Sequence, residues 1–307
     1  MLELEYKRES LGYLSRATVV NLHMGSLSLT KKLKKGAVTT DSDPDRIGAN
    51  KKLLTGDAVS AITAAQRELG KWIKQRTLPS PFRSGMLLIP NTLVKETDAK
   101  LIAGQARLDN LADQFLKVYE ELIAADEVAL KSNFNREDYD TPSEIRERLQ
   151  NHWSYVEFSI PQSLPSDVMA REQEKARAKF AETTDTIQQV LRAEMSKLVK
   201  NAMTSLAAKT EDGKPKKFQN TTISNIREFL DLFSDRNITD DRELDEIVAK
   251  ARQLLEGVSP DDLRAKEPMR DTLVNGFAEM GKALETMIVP ATIRRITFED
   301  EEEVNGN

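Results

Sequence analysis

Apolar residues return at helical spacing from Ser166 to Asp212, a stretch of 47 residues with neither Gly nor Pro. The positions Phe180, Ile187, Leu191, Met195, Leu198, Ala202 and Leu206 predict one helix, roughly 70 Å long at about 1.5 Å per residue. With Thr184 counted at the inward position it occupies, where it loosens the seam, the mean interval is about 3.7 residues, which favours straight or slightly right-handed packing. A second seam, Leu108, Leu111, Phe115, Val118, Leu122, Ala125 and Ala129, alternates three and four residues apart, as in a coiled-coil-like arm. Together the two seams predict a long antiparallel hairpin. A third, Leu273, Phe277, Met280, Leu284 and Met287, marks the last helix, over 259–288.

Ahead of these helices the pattern is mixed. Ala17–Leu22 and Ser26–Leu29 carry β-branched or alternating apolar residues about Gly25, and Met86–Ile89 is a short apolar run closed by Pro90, so a small sheet is expected. A polar loop over 36–50 precedes a helix over Asp57–Arg76, with Val59, Ile62, Leu69 and Ile73 on one side. After 133–140 interrupts the second seam, Thr141-Pro142-Ser143-Glu144 has the form of a capping box opening a short helix. Trp153–Ile160 alternates and is rich in aromatics, as in a strand or an aromatic linchpin between arms, and Thr292–Phe298 reads as a returning strand. Gly213–Lys217 ends the rod, and helices over 223–233 and 240–256 follow, the second with a capping box at Asp240 and Glu243. Pro268 is expected to kink or split the last helix.

The expected fold class is therefore mainly α: an elongated helical protein with a long antiparallel coiled-coil-like hairpin and a small N-terminal α+β region. Its divisions are a net basic mixed region over 1–95, the hairpin arm over 96–212, a C-terminal helical bundle over 213–290, and a strand with an acidic tail over 291–307. A charged fraction of 31% against 39% hydrophobic fits helices around a slim core.

Composition narrows the chemistry. The absence of Cys excludes disulfides, thiol catalysis and Cys-based metal sites. Glu3, Glu5, Lys7, Arg8 and Glu9 break any apolar signal core, and nowhere do eighteen apolar residues run together, so a cytoplasmic location is expected. The net charge of −5 hides an asymmetry: residues 1–90 hold 15 Lys/Arg against 8 Asp/Glu, net +7. The two ends of the molecule should therefore attract different partners, or each other.

Candidate chemistry is sparse. Asp41, Asp43 and Asp45 alternate like the start of a calcium loop, but Arg46 stands where the turn needs Gly and Lys52 where a bidentate Glu would close it. His23 and His152 belong to no ligand pair, and His152 beside Trp153 is expected to be packed or interfacial. The acids Glu137, Asp138, Asp140, Asp240, Asp241 and Glu243 sit where helix starts already explain them. No P-loop or dinucleotide fingerprint occurs, so no cofactor, metal or catalytic residue is assigned. An active site assembled from dispersed residues is the remaining enzymatic alternative. Three lysine clusters stand out: Lys31, Lys32, Lys34 and Lys35; Lys51 and Lys52; and Lys214, Lys216 and Lys217. They would contact nucleic acid or an acidic partner only if they shared a face, and a stacking aromatic, Phe218, adjoins only the third.

Four segments, Ser26–Leu33 (SLSLTKKL), Lys51–Leu54 (KKLL), Phe82–Pro90 (FRSGMLLIP) and the arm through Phe115 and Tyr119 (FLKVYEEL), resemble an uncharacterised bacterial and bacteriophage helical family over about residues 18–165. The family's usual Trp-Gly ahead of the basic pair is replaced here by Leu29-Thr30. The resemblance implies a non-catalytic third component acting with a MoxR-type AAA+ ATPase and a von Willebrand factor A protein. The expected function is thus a scaffold or adaptor, of phage or bacterial origin, working through protein–protein interaction. The alternatives are a nucleic-acid-associated protein using the lysine clusters and a self-associating phage structural protein.

Overall fold

A computed structural model describes residues 12–34, 46–82, 85–156, 163, 165–207, 220–259, 262–263 and 267–288. The chain is mainly α-helical, as its periodicity implies. The helices are α1 (Asp57–Arg76), α2 (Val94–Lys117), α3 (Tyr119–Leu130), α4 (Pro142–Arg148), α5 (Ser166–Ala207), α6 (Asn220–Arg236), α7 (Arg242–Leu254) and α8 (Glu267–Met287). The strands are β1 (Ala17–His23), β2 (Thr30–Lys32), β3 (Asn50–Lys52), β4 (Leu78–Pro79), β5 (Met86–Pro90) and β6 (His152–Val156). One sheet has the order β4-β5-β1-β6, and β2 and β3 form a separate two-stranded ribbon. The segment 26–29, expected as a strand, instead leads into β2 without regular structure. The strand expected at 292–298 and the segments 35–45 and 208–219 lie outside the described residues.

The chain divides into two compact units, one of 1–20, 76–93 and 155–307, the other of 21–75 and 94–154. In the first, α5 packs against α8 and α6, and α7 joins α6 to α8. Its core joins Ile187, Leu191, Met195 and Val199 of α5 to Ile226, Phe233, Val248, Phe277 and Leu284. The buried stripe of α5 runs Thr183, Ile187, Leu191, Met195, Val199, Ala202 and Leu206, so Thr183 and Val199 face inward while Thr184 and Leu198 lie half-buried beside them. The first turns of α5 are largely exposed and carry ion pairs three residues apart, Lys175–Glu172 at 2.8 Å and Lys179–Glu182 at 2.9 Å, which water screens. Arg192 grips both carboxylate oxygens of Asp241 at 2.7 and 2.9 Å and also donates to the carbonyl of Met287 at 3.1 Å. Asp241 in turn accepts from the Leu244 N–H at 3.2 Å, so it, rather than Asp240, caps α7. Asp240 takes a positive φ of 53° just before the cap, which shifts the cap by one residue. Pro268 falls in the first turn of α8, where the missing N–H has no helical partner to lose, so it does not kink α8; residues 264–266, where the expected split would fall, lie outside the described residues.

The second unit buries Leu53, Leu54, Val59, Ile62, Leu108, Phe115, Tyr119, Ile123 and Ile145 in a core of its own. The expected hairpin between 108–129 and 166–212 is therefore replaced by two cores, with α5 finding its partners in α8 and α6. The second seam is also not continuous. Val118, at φ −108° and ψ 6°, separates α2 from α3, and the buried stripe moves to Leu108, Ala112, Phe115, Tyr119, Ile123 and Asp126. Leu111, Val118 and Leu122 are half-buried, and Ala125 and Ala129 are exposed. The Thr141 capping box forms on both arms, with Thr141 N–H donating to Glu144 at 2.7 Å and Glu144 N–H to Thr141 Oγ1 at 3.3 Å. Gly25 sits where backbone crosses backbone. A Cβ there would come within 2.2 Å of the Arg148 carbonyl oxygen, while its N–H donates to Asn151 Oδ1 at 3.1 Å and its carbonyl accepts from Gln66 at 2.5 Å.

Candidate functional site

The β2–β3 ribbon gathers two of the three lysine clusters. Its strands are antiparallel with Thr30 opposite Lys52, Lys31 opposite Lys51 and Lys32 opposite Asn50. Bonds from Leu33 N–H to Ala49 O and from Leu53 N–H to Leu29 O, both 2.8 Å, continue the ladder at each end. Side chains alternate across a strand, so one face carries Leu29, Lys31, Leu33, Ala49, Lys51 and Leu53, and the other Thr30, Lys32, Lys34, Asn50 and Lys52. The first face is the buried one: Leu53 belongs to the core and Leu29 packs against it.

Alternation thereby sorts the lysines. Lys51 is turned inward and is only 7% exposed; its ammonium reaches Asp138 at 2.5 Å and the Asn133 carbonyl at 2.5 Å. A buried cation persists only when paired and hydrogen-bonded, and these two acceptors supply both conditions. Lys51 is thus a structural residue and is withdrawn from the expected contact set. Lys31, opposite it, is half-buried. Lys32, Lys34 and Lys52 are exposed on the outer face with Thr30 and Asn50, and among the described residues none of these three lysines forms an ion pair. Because Lys31 and Lys51 form the hydrogen-bonded pair, Thr30–Lys52 and Lys32–Asn50 are non-hydrogen-bonded pairs, whose side chains stand closest. Each of these pairs couples one cation to one neutral side chain that can donate and accept hydrogen bonds.

Lys35, Lys214, Lys216 and Lys217, with Asp41, Asp43 and Asp45, lie outside the described residues. His23 and His152 are both exposed, so the packed role expected for His152 falls instead to Trp153, whose indole N–H donates to Asp98 at 3.0 Å. Five of the acids flagged by sequence are engaged in folding, while Glu137 is exposed: Asp138 pairs with Lys51, Asp140 with Arg148 at 2.8 Å, Asp240 with Arg16 at 2.6 Å, and Asp241 and Glu243 with Arg192. Among the described residues no three His, Cys, Asp or Glu side chains are grouped to hold a metal ion.

Two cavities occur in the first unit. One of about 370 Å³ is lined by Arg76, Arg227, Glu228 and Asp231; Arg227 is already directed at the carbonyls of Leu255 and Val258, and Arg76 pairs with Glu228 at 3.5 Å. The other, of about 280 Å³, is lined by Asn201, Thr204, Ser205, Thr222 and Asn225 and brings no titratable group with it. Shifted titrations are likewise structural. Burial pushes the Tyr119 hydroxyl up to about 12, and burial with the neighbouring Asp126 raises Tyr139 as well.

Thr30 and Asn50 are the outer-face residues that the lysine clusters alone did not point to. Their signal was the two-residue alternation through Leu29-Thr30-Lys31-Lys32-Leu33 and Ala49-Asn50-Lys51-Lys52-Leu53. Among the described residues no helix is long and apolar enough to cross a membrane. No family model matches the chain, and neither the curated proteins nor the solved structures include a match to it.

Proposed function

We propose that the protein is a non-catalytic scaffold or adaptor that takes hold of a polyanionic partner through the outer face of the β2–β3 ribbon. The observation that carries this reading is the convergence of Lys32, Lys34 and Lys52 on one exposed face with no ion pair among the described residues. The acids support it from the other side: Asp126, Asp138, Asp140 and Asp241 each neutralise, cap or hydrogen-bond a group that folding brings to them. A general acid or base needs a proton partner in a substrate pose, whereas these carboxylates are directed at the protein itself. The resemblance to the bacterial and phage helical family extends the proposal to a MoxR-type AAA+ ATPase and a von Willebrand factor A protein as companions.

Calorimetric titration of the full chain with heparin, a generic polyanion, tests this. Binding is expected to survive His152→Ala and Glu137→Gln and to weaken with Lys32→Gln and Lys52→Gln. A reaction rate that collapses on replacing a single acid contradicts the reading.

A further inference from the structure

We infer that the outer face of the β2–β3 ribbon binds B-form duplex DNA in its major groove. This rests on the reading of the ribbon as a polyanion-holding surface and commits it to one polyanion. Four features select duplex DNA. The face is cationic, with Lys32, Lys34 and Lys52 exposed and without ion pairs among the described residues, which suits phosphates. It carries no apolar side chain, only Thr30 and Asn50 between the lysines. Protein interfaces carry an apolar centre, whereas DNA interfaces are polar and strongly positive, so an acidic protein is the poorer occupant.

The same face lacks any aromatic ring on which an unpaired base could stack, which argues against single strands. Shape supplies the fourth feature. A two-stranded antiparallel ribbon fits the wide major groove of B-form DNA, while the major groove of A-form RNA is too deep and narrow for it. Within the groove, the three lysines serve phosphates and fix position. Thr30 and Asn50, held opposite Lys52 and Lys32, present the donor and acceptor atoms that read base edges. The inward pair differs in kind, since Lys51 is committed to Asp138 and is unavailable to DNA.

Fluorescence anisotropy with the full chain and labelled 20-base-pair duplex DNA, at about 50 mM salt, tests the inference. Matched single strand, matched duplex RNA and poly-L-glutamate serve as rivals. The expected result is tightest binding to duplex DNA, at least tenfold weaker binding by the combined Lys32→Gln, Lys34→Gln and Lys52→Gln variant, and no change with Lys95→Gln, an exposed lysine on α2. Methylation of guanine N7, which lies in the major groove, should also weaken binding. Unchanged affinity in the triple variant, or indifference to N7 methylation, overturns the inference. Preference for poly-L-glutamate through the same lysines overturns the DNA assignment and leaves the polyanion-holding reading intact; binding to none of the probes overturns both.

Discussion

At the scale of single residues, the ribbon depends on Asp126. This carboxylate is 6% exposed, accepts the Leu54 N–H at 2.7 Å where the chain leaves β3 with a positive φ of 55°, and accepts the Tyr139 hydroxyl at 2.9 Å. Asp126→Ala strands two buried donors and should lower stability by about 3 kcal/mol in urea denaturation, with Asp126→Asn milder because one acceptor remains. Tyr119, 2% exposed and donating to the Asp140 carbonyl at 2.7 Å, adds a pH dependence. Its folded-state pKa is raised to about 12 from 10.0, so its contribution is complete below pH 10 and lost as pH rises towards 12. Thermal melts should show alkaline destabilisation in that window, reduced in Tyr119→Phe. Neither role was legible in sequence, because an acid on an apolar stripe looks like a break in the pattern until the donors it satisfies are placed around it.

Helices and strands differ in how far the sequence reveals them, for reasons that lie in their packing. Asp57–Arg76 emerges with the expected bounds because one face is apolar and a glycine precedes it. The 108–129 seam differs from its heptad pattern because two helices in sequence preserve the three-and-four rhythm while Val118 rotates the second against the first. This has a direct check: Ala125→Lys should change stability by less than about 0.5 kcal/mol, whereas Ile123→Ala should cost about 3 kcal/mol, although the heptad reading ranks them the other way. In α5 the seam was correct at Ile187, Leu191, Met195, Ala202 and Leu206, all buried. Leu191 is fully enclosed, and Leu191→Ala should cost roughly 3 kcal/mol in urea denaturation, with Leu191→Pro unfolding the first unit by also breaking the helix.

For the whole molecule, the two cores explain why a modest apolar fraction serves a long chain: each unit encloses its own set of helices. The basic excess over residues 1–90 was visible as composition, but its consequence was not. Two lysine runs separated by fifteen residues become one surface only through the register that sets Thr30 against Lys52 and Lys32 against Asn50, and that same register removes Lys51 from the surface. Long-range pairing of this kind leaves no periodic trace in either run alone. The central claim, that Lys32, Lys34 and Lys52 act together on a polyanion, is tested most directly by the salt dependence of duplex DNA binding. With three phosphates neutralised, the logarithm of the binding constant should fall against the logarithm of salt with a slope of about −2.7, and each Lys→Gln substitution among the three should reduce that slope by about 0.9. A slope identical in the wild-type chain and the triple variant would contradict the account.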